Sequence, residues 1–229
     1  ILWNPAQQTS APAMICLQGT NSGAHLSWGG ILMPGDHFKS GADIALQAVR
    51  EGYIAVCIEQ SCFGERKERR IREPLDCATS QQHAALMGRC LIGERATDVS
   101  GVISWLCDQQ DKLRIDRDAI HVMGNSSGGI TAVYTAAMDE RIAAIKASGC
   151  LGFIRETVAK RRNDQGQGVV PGILRWLEMC DVVALCAPRP LLGIAGKRDH
   201  IFPYAQCAAV LADAQKVYRQ FDAAGNLRS

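Results

Sequence analysis

Residues 122–129 read Val-Met-Gly-Asn-Ser-Ser-Gly-Gly, and they decide how the rest of the chain is interpreted. The preceding run, residues 119–123, is rich in β-branched and apolar side chains, which is typical of a buried parallel strand. In residues 130–138, small and apolar side chains recur at helical spacing. The sequence therefore predicts a strand, a tight glycine turn and a helix, with a GxSxG pattern centred on Ser126.

Ser126 is a candidate nucleophile. The flanking Gly124 and Gly128 remove Cβ atoms from a sharp turn, which allows the serine a positive φ and access to solvent. The amino end of the following helix would stabilise negative charge beside it. An ordinary glycine-rich helix start is the alternative, because GxSxG also occurs by chance; the strand before it and the helix after it favour the nucleophile. A phosphate-binding loop is excluded, since no lysine follows the glycines and their spacing is not GxGxxG.

Composition limits the class of protein. The chain has 229 residues, 47% hydrophobic and 21% charged, which suits one globular domain. A net charge of +2, with short basic clusters at 66–72 and 160–162, argues against nucleic acid or a membrane surface as the partner. No apolar run approaches the ~18 residues of a membrane span, and no secretory signal opens the chain.

The ten cysteines are irregularly spaced and contain no CxxC. This pattern favours reduced, buried thiols in a cytoplasmic protein over a disulfide framework or a metal site, and we expect neither metal nor cofactor. The chain begins with Ile1, so we expect it to be a portion of a longer protein.

Strand and helix patterns alternate along the chain. Strands are predicted at 12–17, 53–58, 119–123, 141–147 and 188–195, and helices at 40–51 from an N-cap Ser40, 79–92, 94–109, 130–138 and 205–221, with Gly93 breaking the second helix from the third. Alternation predicts a three-layer α/β/α sandwich with a mainly parallel sheet and its ligand at the carboxyl ends of the strands.

Residues 149–181 carry few strand signals, and we interpret them as an insertion over the site within a single domain spanning 1–229. A helix is expected near residues 173–179. Phe153 and Trp176 are candidate lining residues of a substrate pocket, although aromatic side chains there could equally belong to the core.

A serine nucleophile needs a base and a group that orients the base. Asp199 follows the strand at 188–195 on the same sheet edge as Ser126, where an orienting carboxylate belongs; a turn-forming aspartate is the alternative. In this architecture the order is Ser, Asp, His, and only His200 follows. Adjacent residues of an extended loop point to different sides, which argues against His200 as the base.

The other histidines precede Asp199 in the chain and therefore do not follow the required order. They are expected in a glycine loop (His25), a second loop (His37), a helix (His83) and a strand (His121). We therefore expect the catalytic histidine, and the last strand that leads to it, beyond residue 229. The strand at 188–195 would then have an unpaired edge.

These motifs resemble the α/β-hydrolase superfamily, and more narrowly its bacterial esterase branch near dienelactone hydrolases and acetyl xylan esterases. The resemblance rests on residues 17–23, 88–95 with Asp98, 124–129, 187–190 and 199–203. It implies Ser126 as nucleophile, Asp199 as acid, and the backbone N–H groups of Thr20 and Ser127 as the oxyanion hole. Family members often have histidine where Gln18 stands, and they possess strands before residue 1.

Dienelactone hydrolases proper use a cysteine nucleophile, so a serine at position 126 favours the esterase side. The sequence thus predicts a carboxylesterase-type serine hydrolase that acts on a small-molecule ester through an acyl-enzyme. Two alternatives remain open: a peptidase or thioesterase on the same scaffold, and a non-catalytic binding module that lacks the histidine.

Overall fold

The computed structural model describes residues 1–3, 9–29, 42–67, 76–160 and 166–229. Within these ranges, six strands form one sheet in the order β2-β1-β3-β4-β5-β6, and every neighbouring pair is parallel. The strands are Ala11–Leu17 (β1), Ile54–Cys57 (β2), Ile115–Asn125 (β3), Ile142–Ser148 (β4), Leu191–Ile194 (β5) and Leu227–Arg228 (β6). An antiparallel bridge joins Leu2 to Ala55 at the outer side of β2.

Helices connect most of these strands. The α-helices are Ile44–Arg50 (α1), Cys77–Leu86 (α2), Leu91–Asp108 (α3), Gln110–Leu113 (α4), Ser127–Met138 (α5), Met179–Ala184 (α6) and Tyr204–Gln220 (α7). Short 3₁₀ turns occur at Ala24–Leu26, Gly64–Arg66, Ile173–Arg175 and Ala224–Asn226, and Arg155–Lys160 forms a π-helix.

The strand register brings the candidate site residues to one edge of the sheet. Gly124 at the end of β3 pairs with Leu17 at the end of β1. On the other side Asn125 pairs with Ser148 of β4, and Ser148 pairs with Ile194 of β5. The loops that follow β1, β3, β4 and β5 therefore leave the sheet side by side, as a parallel sheet requires.

Strand β1 divides its side chains between two cores, because successive residues of a strand point to opposite faces. Ile15 and Leu17 pack into the large core that includes Val99 of α3 and Val133 of α5. Met14 and Cys16 belong to a smaller core on the other face, shared with α1. Both faces are thus covered by helices, and the predicted three-layer α/β/α sandwich is confirmed.

Several predicted boundaries are wrong. The break between the second and third helices lies at residues 87–90, where Gly88 has a φ of +69°, whereas Gly93 lies inside α3. The helix expected at 173–179 is instead a 3₁₀ turn followed by α6, which Glu178 caps through a reciprocal capping box with Asp181. Ser40, the predicted N-cap of α1, lies outside the described residues.

The sheet also continues past the predicted last strand. Leu191 and Leu192 of β5 pair in parallel with Leu227 and Arg228 of β6. The expectation that the sheet ends at β5 with an unpaired edge is therefore wrong. The two-residue β6 carries too little of the alternating apolar pattern to be found from sequence.

All ten cysteines are free thiols. Burial raises the pKa of the Cys57 thiol to about 11 and that of Cys186 to about 12, so both stay protonated at neutral pH. The described ranges contain no group of three His, Cys, Asp or Glu side chains that could hold a metal ion. No helix in this part of the chain is long and apolar enough to cross a membrane.

Candidate active site

Ser126 has the backbone geometry that the sequence predicts. It connects β3 to α5 with a φ of 52° and a ψ of −117°, a strained conformation for a residue with a Cβ. Its N–H donates to the carbonyl of Ser148 at 2.7 Å, and its carbonyl accepts from the N–H of Ile130 at 3.0 Å. The residue is half-buried, and α5 begins immediately after it. The strand, tight turn and helix are thus confirmed, whereas the role of Ser126 as nucleophile stays a prediction.

Two glycines make this turn possible by allowing backbone segments to touch. A Cβ on Gly128 would lie 2.2 Å from the carbonyl oxygen of Leu17 and 2.5 Å from that of Gln18. A Cβ on Gly124 would lie 2.2 Å from the carbonyl oxygen of Gly128. Any larger residue would push α5 away from β1, and the turn would move with it.

The loop after β1, residues 18–25, lies directly against the turn. A Cβ on Gly19 would be 3.4 Å from Cβ of Ser126 and 3.2 Å from the carbonyl oxygen of Asn125. The next residue, Thr20, is exposed beside this contact. Ser127, as the first residue of α5, has an N–H group without an intrahelical partner. The two residues proposed for the oxyanion hole therefore flank Ser126.

Gln18 holds this loop through buried amide contacts. Its Nε2 donates to Oε1 of Glu59 at 2.8 Å, and its backbone carbonyl accepts from Nε2 of Gln60 at 2.8 Å. Oε1 of Gln60 in turn accepts from the hydroxyl of Thr131 in α5 at 2.8 Å. Burial raises the pKa of the Glu59 carboxyl, against the opposing effect of the Ala24 N–H that it accepts. The loop after β1 and helix α5 are thus tied together.

Asp199 lies in the loop after β5, at the same sheet edge as Ser126. Its Oδ1 accepts from the N–H groups of Ile201 at 2.8 Å and Phe202 at 2.9 Å. Its Oδ2 lies 3.6 Å from the position of a Cβ on Gly149, and Oδ1 of Asn125 lies 3.6 Å from the same point. The carboxylate is therefore held rigidly beside the turn, which suits an orienting acid.

The histidines occupy different parts of the fold. His121 lies in β3 with its ring 5.5 Å from that of Tyr53, and burial, then Lys146, lowers its pKa. His25 lies in the loop after β1, with Nε2 3.2 Å from Oγ of Ser22. His83 lies in α2, and His200 is exposed beside Asp199. His37 lies outside the described residues. The base that would pair with Asp199 stays a prediction.

A buried cluster of two polar side chains adjoins the turn, and the sequence did not assign it to the site. Arg95 is 1% exposed and Gln167 is 3% exposed. Arg95 Nη1 donates to Oγ of Ser127 at 2.8 Å and to Oε1 of Gln167 at 2.9 Å. One signal for Arg95 was available, because it falls on the apolar stripe of α3 between Leu91 and Val99. Gln167 sits in a polar stretch that gives no such signal.

Residues 149–181 also contain an apolar pocket of about 300 Å³. It is lined by residues 154, 158, 159, 169, 170 and 172–175. The two aromatic candidates lie elsewhere: Trp176 is 82% exposed, and Phe153 is half-buried against the main core. Their role in substrate binding stays a prediction.

The strand order, the strained serine after β3 and the carboxylate after β5 are features of the α/β-hydrolase fold. Sequence comparison agrees with this fold and also identifies the family. The sequence model of the Abhydrolase family matches residues 1–223, and the chain belongs to that family.

Individual proteins with related sequences or structures fit this assignment. YtaP of Bacillus subtilis, named as a hydrolase, is 26% identical over 155 residues, which are 66% of this chain and 48% of YtaP. A Bacteroides fragilis protein described as an acetyl xylan esterase superposes with a TM-score of 0.79 at 20% identity, and the match covers 99% of this chain and 60% of the Bacteroides protein. A glucuronoyl esterase of Caldicellulosiruptor kristjansonii superposes with a TM-score of 0.66 at 20% identity, and the match covers 100% of this chain and 66% of the esterase. The chain thus spans about half the length of YtaP.

Proposed function

We propose that this protein is a carboxylic ester hydrolase that forms an acyl-enzyme on Ser126. The observation that carries the proposal is the backbone of Ser126, whose φ of 52° is strained for a residue other than glycine. Such strain persists where the surrounding structure enforces it, and it is concentrated at functional sites. Here the enforcing contacts are those of Gly124 and Gly128 with the backbone around them.

The reaction follows from the groups around this serine. The hydroxyl oxygen of Ser126 attacks the ester carbonyl carbon, and a histidine oriented by Asp199 accepts the hydroxyl proton. The carbonyl oxygen becomes an oxyanion, which the N–H groups of Ser127 and Thr20 stabilise. Collapse of this intermediate breaks the ester bond, and the histidine protonates the departing alcohol. Water then attacks the acyl group by the same steps, releasing a carboxylic acid and restoring Ser126.

An ester substrate is favoured over an amide or thioester by the relatives. The two structural neighbours described above carry the names acetyl xylan esterase and glucuronoyl esterase. Both names describe hydrolysis of a carboxylic ester on a carbohydrate. We therefore extend the proposal to an ester whose acid or alcohol part is a small polar molecule.

The test uses the full-length protein with p-nitrophenyl acetate and a fluorophosphonate probe that labels activated serines. Ser126→Ala is expected to lower kcat/KM by about 10⁴-fold or more and to abolish labelling. Ser10→Ala is the matched control, because Ser10 precedes β1 and lies at the opposite edge of the sheet. It should leave both readouts unchanged.

Two results would contradict the proposal. Ester turnover that survives Ser126→Ala would place the nucleophile elsewhere. Absence of both labelling and turnover in the unaltered full-length protein would favour a non-catalytic binding module. The matching anilide and thioester substrates test the peptidase and thioesterase alternatives, and a higher kcat/KM for either of them would change the assignment.

A further inference from the structure

The Gln167 side chain lies between the two residues proposed to form the oxyanion hole. Its Nε2 donates to Oγ1 of Thr20 at 3.2 Å, and its Oε1 accepts a short hydrogen bond from the hydroxyl of Ser127. One buried amide therefore contacts the side chains of both residues. The loop after β1 and the start of α5 are joined through it.

Arg95 fixes which way this amide points. A guanidinium only donates hydrogen bonds, so the amide atom that faces Arg95 Nη1 at 2.9 Å must be the oxygen of Gln167. The amide nitrogen is then directed toward Thr20. The same Nη1 donates to Oγ of Ser127 at 2.8 Å, so Arg95 orients both the amide of Gln167 and the serine hydroxyl that donates to it.

Arg95 is itself held rigidly. Its Nε and Nη2 donate to the carbonyl of Ser61 at 3.2 and 2.6 Å, and its Nη2 lies 3.5 Å from Sγ of Cys77. The ring of Phe63 stacks 4.7 Å from the guanidinium carbon. Among the residues that the structure describes, no carboxylate pairs with Arg95. Arg95 places a positive charge beside Ser127, which favours negative charge developing at the neighbouring turn.

We propose that Gln167 is a positioning residue for the oxyanion hole, oriented by Arg95, and that it sets the distance between the N–H groups of Thr20 and Ser127. This inference rests on the proposed ester hydrolysis. A hole whose two donors come from different loops stabilises the oxyanion only if the loops keep a fixed separation, since a misplacement of about 1 Å can cost about 100-fold in rate. The hydrogen bond of Gln167 to Thr20 supplies that constraint.

The experiment is a double-mutant cycle in the full-length protein. Gln167→Met removes the amide, and Thr20→Val removes its acceptor while keeping the Thr20 N–H. Each variant is expected to lower kcat for p-nitrophenyl acetate about 10- to 100-fold with KM changed less than about twofold, because the bond acts on the transition state. The double variant should lose no more than the larger single effect, since both changes break the same bond.

Two further variants separate positioning from folding. Gln167→Glu keeps an acceptor for Arg95 and Ser127, and its second carboxylate oxygen can accept from the Thr20 hydroxyl. The link to Thr20 is then kept with its direction reversed, so kcat should fall less than in Gln167→Met, without a loss of Tm. Gln215→Leu is the matched control, because Gln215 lies on α7 and its Nε2 donates to the carbonyl of Ala224 at 2.9 Å in an exposed contact that includes no residue of the candidate site. It should leave kcat unchanged.

The results distinguish this inference from the proposed function. If the unaltered protein turns over the ester through Ser126 but Gln167→Met and Thr20→Val retain full kcat, the positioning role is overturned and the hydrolase assignment stands. Additive effects of the two substitutions, or a loss of kcat that follows a loss of Tm, would also overturn it. If Ser126→Ala leaves turnover intact, the proposed function is contradicted, and the positioning role that rests on it is contradicted as well.

Discussion

The turn at Ser126 and the neighbouring residues 149–181 are held in place by different kinds of contact. At the turn, backbone touches backbone, and a Cβ on Gly128 would lie only 2.2 Å from the carbonyl oxygen of Leu17. Residues 149–181 are attached through side chains: Leu151 and Ile154 pack in the main core, and the buried polar side chains of Gln167 and Glu178 add hydrogen bonds. The comparison indicates that backbone contacts fix the serine, whereas side-chain contacts attach the polypeptide around it.

The largest expected effect is at the turn. Gly128→Ala should lower the free energy of unfolding by roughly 3–5 kcal/mol, because the new methyl group meets two backbone carbonyls that cannot move independently. Gly101→Ala is the control, since Gly101 is an exposed position in α3 where a Cβ meets nothing within 4 Å. It should be neutral or stabilising by up to about 1 kcal/mol.

Denaturant titration of both variants measures this difference. A Gly128→Ala protein as stable as the Gly101→Ala protein would show that the turn tolerates backbone displacement. The contrast between backbone packing and side-chain attachment would then not hold.

A smaller effect is expected where Glu178 joins Ile154 and Arg155 to the start of α6. Its carboxylate accepts from the N–H groups of Ile154 at 2.6 Å, Met179 at 2.9 Å and Arg155 at 3.1 Å. Glu178→Gln keeps the shape but replaces one acceptor with a donor, so the free energy of unfolding should fall by about 2–3 kcal/mol. Asp213→Asn, in an exposed pair with Lys216 on α7, is the control and should cause no measurable loss.

The charge of Glu178 predicts that the free energy of unfolding depends on pH. Burial raises the pKa of the Glu178 carboxyl, but hydrogen bonds from Arg155, Met179 and Ile154 together outweigh it, and the pKa is lowered. A carboxyl with a lowered pKa stabilises the fold above its unfolded pKa of about 4.3, and this contribution is lost as the pH falls further. The stability difference between the unaltered protein and Glu178→Gln should therefore shrink below about pH 4.3. A constant difference would contradict the role of the charge.

The smallest effect is expected at Trp176, which is 82% exposed although it belongs to the same segment. Trp176→Ala should change the free energy of unfolding by less than about 0.5 kcal/mol. Ile154→Val, which removes one methyl group from a side chain only 4% exposed, should cost about 1 kcal/mol. A raised KM with unchanged stability in Trp176→Ala would support the prediction that this side chain contacts substrate, and a large loss of stability would contradict its exposure.

The turn at Ser126 could be predicted from sequence because its determinants are local. Strand, glycine turn and helix follow one another within residues 115–138, and the strained serine is flanked by the glycines that permit it. Asp199 was also accessible, since the carboxyl ends of parallel strands share one edge. The partners of Gln167 could not be found in this way, because Arg95 and Thr20 are 72 and 147 residues away along the chain. Nothing in the polar stretch around Gln167 indicates that its amide is buried.

The attachment of residues 149–181 through side chains has a consequence for divergence among related proteins. The apolar pocket is lined by residues of this segment, and none of them takes part in the backbone contacts of Gly124 and Gly128 that shape the turn. Substitutions there can accumulate while Ser126 keeps its geometry. Evolution, or a laboratory library restricted to residues 169–175, can thus reshape this pocket without disturbing the turn.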